Sequence, residues 1–214
     1  MLMFIRLVFT LLLSATPTTS TIGADLIDAA RDGHMPAIIK WLKHHPVDVK
    51  DSSKYTAFMW ASMSGHLDVM QHLLEQGASI NTRDRVNHTP LILAARDGRL
   101  KVVNWLISKG AQLELRDKSR MTALHWASVK GEHDIVHALV AAGSNIHHED
   151  HIDRTALDWA KHKGHESIHD HLVTKGATSA EVRKGERTQR VADAELATQK
   201  RRQAAIDKAM KKDL

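Results

Sequence analysis

The chain has no cysteine. Disulfide staples, thiol nucleophiles and Cys-ligated zinc are therefore excluded. Its most apolar stretch, Leu7 to Leu13 in the opening MLMFIRLVFTLLLSATPTTSTIGA, falls well short of the ~20 residues that a membrane helix needs. There is no phosphate-binding glycine loop, no HExxH and no nucleophile elbow. Ser, His and Asp are plentiful but form no recognisable constellation, so neither a catalytic residue nor a cofactor is expected.

What is present begins with the leader. Arg6, the apolar run and the small, hydroxylated residues behind it fit a secretory signal peptide over residues 1–24. Cleavage is expected after Ala24, or nearer Ser20. An uncleaved anchor fits less well, as does a transit peptide, which would be richer in Arg and less apolar. The expected destination is the periplasm or the secretory pathway and extracellular space, with no integral membrane segment after cleavage.

The formal charge is +5. Arg6 contributes one, and the tail from Thr178 to Leu214 holds ten Lys/Arg against six Asp/Glu, which leaves residues 7–177 neutral. The high isoelectric point is thus mostly a property of the tail, and no nucleic-acid partner is expected.

The dominant pattern is a period. Thr56, Thr89, Thr122 and Thr155 recur every 33 residues, as do Gly65, Gly98, Gly131 and Gly164, and Asp51, Asp84, Asp117 and Asp150. A fixed step of this size means stacked copies of one small unit, each burying its apolar face on its neighbours. Each unit reads as a capping Thr, a short apolar helix, a glycine that ends it, a second apolar-periodic helix closing on Gly77, Gly110, Gly143 or Gly176, and a turn. Pro90 occupies a first-turn position, where proline is tolerated.

The segments TPLILAA, TALHWAS, LLEQGASINTRD and LISKGAQLELRD closely resemble the ankyrin repeat. The resemblance covers Asp25 to Ala177. It implies an all-α ankyrin-repeat solenoid of helix-turn-helix units with β-turn fingers, followed by a charged, partly helical or disordered tail over 178–214. The repeats divide as 25–50, a partial unit one residue short, then 51–83, 84–116, 117–149 and 150–177. The family's histidine appears only at His125, with Met59, Ile92 and Asp158 in its place elsewhere.

The resemblance also implies a partner-binding concave side, built from the fingers and the first helix of each pair. Carried over by register, this side holds eight Lys/Arg against two Asp/Glu, the acids being Asp97 and Glu149. The expected contact residues are Tyr55, Arg83, Arg85, His88, Arg96, Arg116, Lys118, Met121, Lys130, His151 and Arg154. Arginine forms bidentate pairs with carboxylates and is enriched at hot spots, so the expected partner is another protein with an acidic surface. The chain itself is expected to be a non-enzymatic monomer.

Trp60, Trp126 and Trp159 keep the register on the first helices and can floor the groove or fill the stack; packing is the better reading. Trp41 and Trp105, on second helices, are expected in or near the core. A second function class rests on the sixteen histidines, above all His147, His148, His151 and His162, which suit metal handling or a pH response. Their spacing matches no standard zinc motif, so no metal site is assigned. A secreted effector acting on a host protein would use the same binding mechanism.

Overall fold

The computed structural model describes residues 19–210. The apolar run Leu7–Leu13 of the expected signal peptide lies outside the described residues. Eleven helices are present among those described: α1 Thr19–Arg31, α2 Met35–Leu42, α3 Ala57–Ser64, α4 Leu67–Glu75, α5 Pro90–Arg96, α6 Leu100–Ser108, α7 Ala123–Lys130, α8 His133–Ala141, α9 Ala156–Lys163, α10 Glu166–Thr174 and α11 Ala180–Met210. No strand occurs among the described residues beyond one isolated bridge between Lys50 and Thr56. No helix there is long and apolar enough to cross a membrane. α1 begins ahead of Ala24 and continues through it.

The order is five antiparallel helix pairs and then α11. First helices stack in one row, α1 on α3, α3 on α5, α5 on α7 and α7 on α9; second helices stack in another, α4 on α6, α6 on α8 and α8 on α10. The sequence period maps onto this directly. Val69, Val102, Ile135 and Ile168 are all buried, as are Leu73, Leu106, Leu139 and Leu172. Burying such a side chain contributes about 1.5–3 kcal/mol, and here all eight belong to one continuous core that runs through the repeats. Ala61, Ala94, Ala127 and Ala160 are fully buried on the first helices, where a small side chain lets adjacent helices approach.

The helix starts follow the capping chemistry. The Thr56, Thr89 and Thr155 hydroxyls accept from the N–H of Met59, Ile92 and Asp158 at 3.2–3.3 Å. Asp158 returns the bond by accepting from the Thr155 N–H at 2.9 Å, which completes a capping box. Where His125 stands, its Nδ1 accepts from the Thr122 N–H at 3.2 Å. Its Nε2–H therefore donates to the His148 carbonyl at 3.1 Å, which ties the helix to the next finger. Burial drives this imidazole down to a pKa of about 4.

The glycines that end the first helices have positive φ. The residues after Gly65, Gly98 and Gly164, which are His66, Arg99 and His165, bond a backbone carbonyl of the preceding repeat, that of Arg31, Met63 and Val129 respectively. The His165 ring lies against Gly131, 2.7 Å from where a Cβ would stand, and its Nε2 bonds the Val129 carbonyl at 3.2 Å. Arg99 Nε donates to the Met63 carbonyl at 2.6 Å. The tail is one 31-residue helix that continues through Gly185.

Candidate functional site

The fingers are pinned from below by the repeating aspartate. Each finger turns at a residue with φ of 61–65°, namely Lys54, Asn87, Arg120 and Asp153. One carboxylate oxygen accepts from the finger's returning backbone: Asp150 Oδ1 takes the Ile152 N–H at 2.9 Å and the Arg154 N–H at 3.0 Å. Asp51, Asp84 and Asp117 likewise hold the N–H of Tyr55, His88 and Met121. The other oxygen accepts from the tryptophan nine residues on, at 3.3 Å for Trp60, 2.9 Å for Trp126 and 2.8 Å for Trp159. Leu93 replaces the tryptophan in one repeat, and there His88 Nδ1 bonds Asp84 Oδ2 at 3.0 Å instead. The tryptophans are half-buried locks on the fingers. Trp41 and Trp105 pack against the core as expected.

Adjacent fingers are joined in a row. The N–H of Arg85, Lys118 and His151 donates to the carbonyl of Ser53, Val86 and Ser119 in the preceding finger, at 2.9–3.1 Å. This leaves Arg83, Arg85, Arg116 and Lys118 exposed on successive fingers, with Lys130 and His151 also exposed. Among the described residues none of Arg83, Arg85, Arg116 or Lys118 enters an ion pair.

Two expected contact residues are not on the surface. Met121 and His88 are buried, at 6% and 9% exposure. Both directly precede a capping threonine; the His88 ring turns in to bond Asp84 Oδ2 and lies 5.9 Å from the Trp126 ring, and the apolar Met121 side chain is buried. Tyr55 and Arg154 hold the same position and are half-covered: Tyr55 packs on Trp60 at 5.4 Å and the Arg154 guanidinium lies 4.9 Å over Trp159. Desolvation, then the Asp84 carboxylate, raise the Tyr55 pKa. Arg96 is not a free cation either, since it pairs with Asp97 at 2.9 Å, and that bond holds its pKa above the usual value.

The sequence also left the anchoring of the tail unseen. Arg183 pairs with Glu149 at 3.1 Å, both side chains largely covered, and donates to the His147 carbonyl. Arg187 lies 3.6 Å from Glu149, and Lys184 meets Asp153 at 2.9 Å, which keeps the Asp153 carboxyl below its usual pKa. An open cleft of about 640 Å³ separates α11 from the last repeat, lined by Ile152, Arg154, Asp158, Lys161, His162 and Lys184 among others. A basic stretch of tail opposite an acidic finger was the available signal. It was illegible without knowing that α11 starts beside that finger.

The histidines of the last finger are dispersed among separate tasks. His148 Nε2 pairs with Glu114 at 2.9 Å, and His151 Nδ1 bonds the Ser119 carbonyl at 3.1 Å. Asp150 is fully buried in its turn role.

Stacked helix pairs with pinned, hydrogen-bonded fingers define a helical-repeat solenoid. A family model for ankyrin repeats (3 copies) matches residues 26–117 and 110–183. The chain belongs to the ankyrin-repeat family, whose repeats are generally protein–protein interaction modules and typically non-enzymatic. No curated protein matches the chain.

Proposed function

We propose that this chain is a non-enzymatic binding protein that holds an acidic surface of another protein against its row of fingers. One observation carries this reading. The unpaired cations Arg83, Arg85, Arg116 and Lys118 stand on adjacent fingers, while both acids of the same face are neutralised from within, Asp97 by Arg96 and Glu149 by Arg183. The exposed charge left on this row is positive, which speeds encounter with an acidic partner and selects against basic ones. The backbone row that joins the fingers supports this role, because a prearranged surface loses little entropy on binding.

The protein is proposed to act as an exported monomer, on the strength of the leader's basic, apolar and small-residue pattern. The test is affinity capture from the exported fraction of the native host, using the wild type and an Arg83→Glu, Arg85→Glu, Arg116→Glu variant as parallel baits. The expected result is a protein captured by the wild type alone, with both baits equally helical. Equal capture by both would remove the finger face from the account.

A further inference from the structure

The second helices carry a side-chain group that the finger face does not use. His133 and His137 stand one helical turn apart on α8, and His171 faces them from α10 in the next repeat. The His171 ring centroid lies 5.9 Å from that of His133 and 5.0 Å from that of His137. His171 Nε2 is covered, yet meets no hydrogen-bond partner. His133 and His137 are exposed, so the group is open to solvent from one side.

We propose that His133, His137 and His171 form a binding site for one divalent transition-metal ion of the zinc, nickel or copper class, which bridges the last two repeats. Imidazole is a preferred ligand for these ions. Two histidines four residues apart on one helix can turn their rings to one point, a spacing used for zinc elsewhere. A zinc ion about 2 Å from each nitrogen puts ring centroids about 3.2 Å from the metal and, at a tetrahedral angle, about 5 Å from one another. The two measured separations match that spacing to within an ångström.

The ligands must be neutral to coordinate. Desolvation, and then the nearby His137, Lys175 and His133, hold the His171 pKa below its ordinary value. Lys175 is exposed on its long stem and can turn away, and Asp134, 3.5 Å from His133, adds a negative charge at the rim. As the rings now stand, the described residues hold no group of three ligating side chains gathered about one point. Closing on an ion takes rotation of the two exposed rings between staggered rotamers.

The site is independent of the finger face. The test titrates the purified full chain with ZnCl₂ and NiCl₂ by calorimetry. The expected result is uptake of one equivalent, weakened at least ~10-fold by His137→Ala and by His171→Ala, since each removes one of three ligands. A His147→Ala, His148→Ala, His151→Ala variant should bind as the wild type does. Saturating metal should also raise Tm by roughly 5 °C in the wild type and not in His137→Ala. His137 is exposed, so its loss leaves the fold intact, and circular dichroism checks this. Absence of saturable uptake overturns the proposal, and so does uptake that survives in the His137→Ala, His171→Ala double variant or is lost only in the finger variant.

Discussion

Replacing Asp150 with alanine tests how the fingers are built. The carboxylate is fully buried and accepts from the N–H of Ile152 and Arg154 through one oxygen and from the Trp159 indole through the other. Alanine strands all three donors. A hydrogen bond to a charged acceptor contributes about 1.5–3 kcal/mol, and a buried donor left unpaired costs about 1–3 kcal/mol. Ile152 is exposed and Trp159 half-exposed, so water can reach two of the three donors; this places the total near the low end, at about 3–5 kcal/mol. Because stability in a repeat array is a sum over units and their interfaces, the loss should appear as early unfolding of residues 150–177. Urea unfolding followed by Trp fluorescence and circular dichroism would register it. Asp150→Asn keeps one acceptor oxygen for the backbone and should lose about half as much. Trp159→Phe, which removes a single donor, should lose about 1 kcal/mol. An Asp150→Ala protein within about 0.5 kcal/mol of the wild type would refute the claim that this carboxylate pins the finger.

Two further outcomes follow from the same geometry. His125 has a folded pKa of about 4 against about 6.5 in the unfolded chain, so its contribution is complete above pH 6.5 and is lost as pH falls towards 4, a change of about 3 kcal/mol; the pH dependence of urea stability should be correspondingly flatter in His125→Leu. Gly131→Ala should cost more than Gly110→Ala, by about 1–2 kcal/mol in thermal or urea unfolding: both glycines have φ of 79°, but only Gly131 has a ring packed where the methyl must go.

The stack itself was legible in the sequence, because a 33-residue step in Thr, Gly and Asp repeats the same caps, helix ends and turns in every unit, and the buried Val/Ile and Leu series keep that step. Exposure within a finger was less legible. Register placed His88 and Met121 on the surface, but the His88 ring turns in to Asp84 Oδ2 and the apolar Met121 side chain is buried, while Tyr55 and Arg154 at the same position stay half-exposed; spacing does not carry that difference. Trp60, Trp126 and Trp159 looked like packing residues, and their bonds to the finger aspartates were implicit in the constant nine-residue offset from Asp51, Asp117 and Asp150. Leu93 breaks that offset, and His88 makes the replacement bond. The attachment of Arg183 to Glu149 joins segments 34 residues apart in sequence with no shared period, so nothing in the pattern announced it. The His133, His137 and His171 group escaped notice for the same reason: its members come together only when one repeat lies on the next.

The claim that the positive finger row is the binding surface is tested most directly by the Kd of the captured partner for the wild type and for the Arg83→Glu, Arg85→Glu, Arg116→Glu variant, measured at low and at high salt. The variant should bind at least ~100-fold more weakly, chiefly through slower association, and the wild-type affinity should fall as salt screens the exposed charges. A variant that binds with unchanged Kd and unchanged salt dependence would contradict that claim.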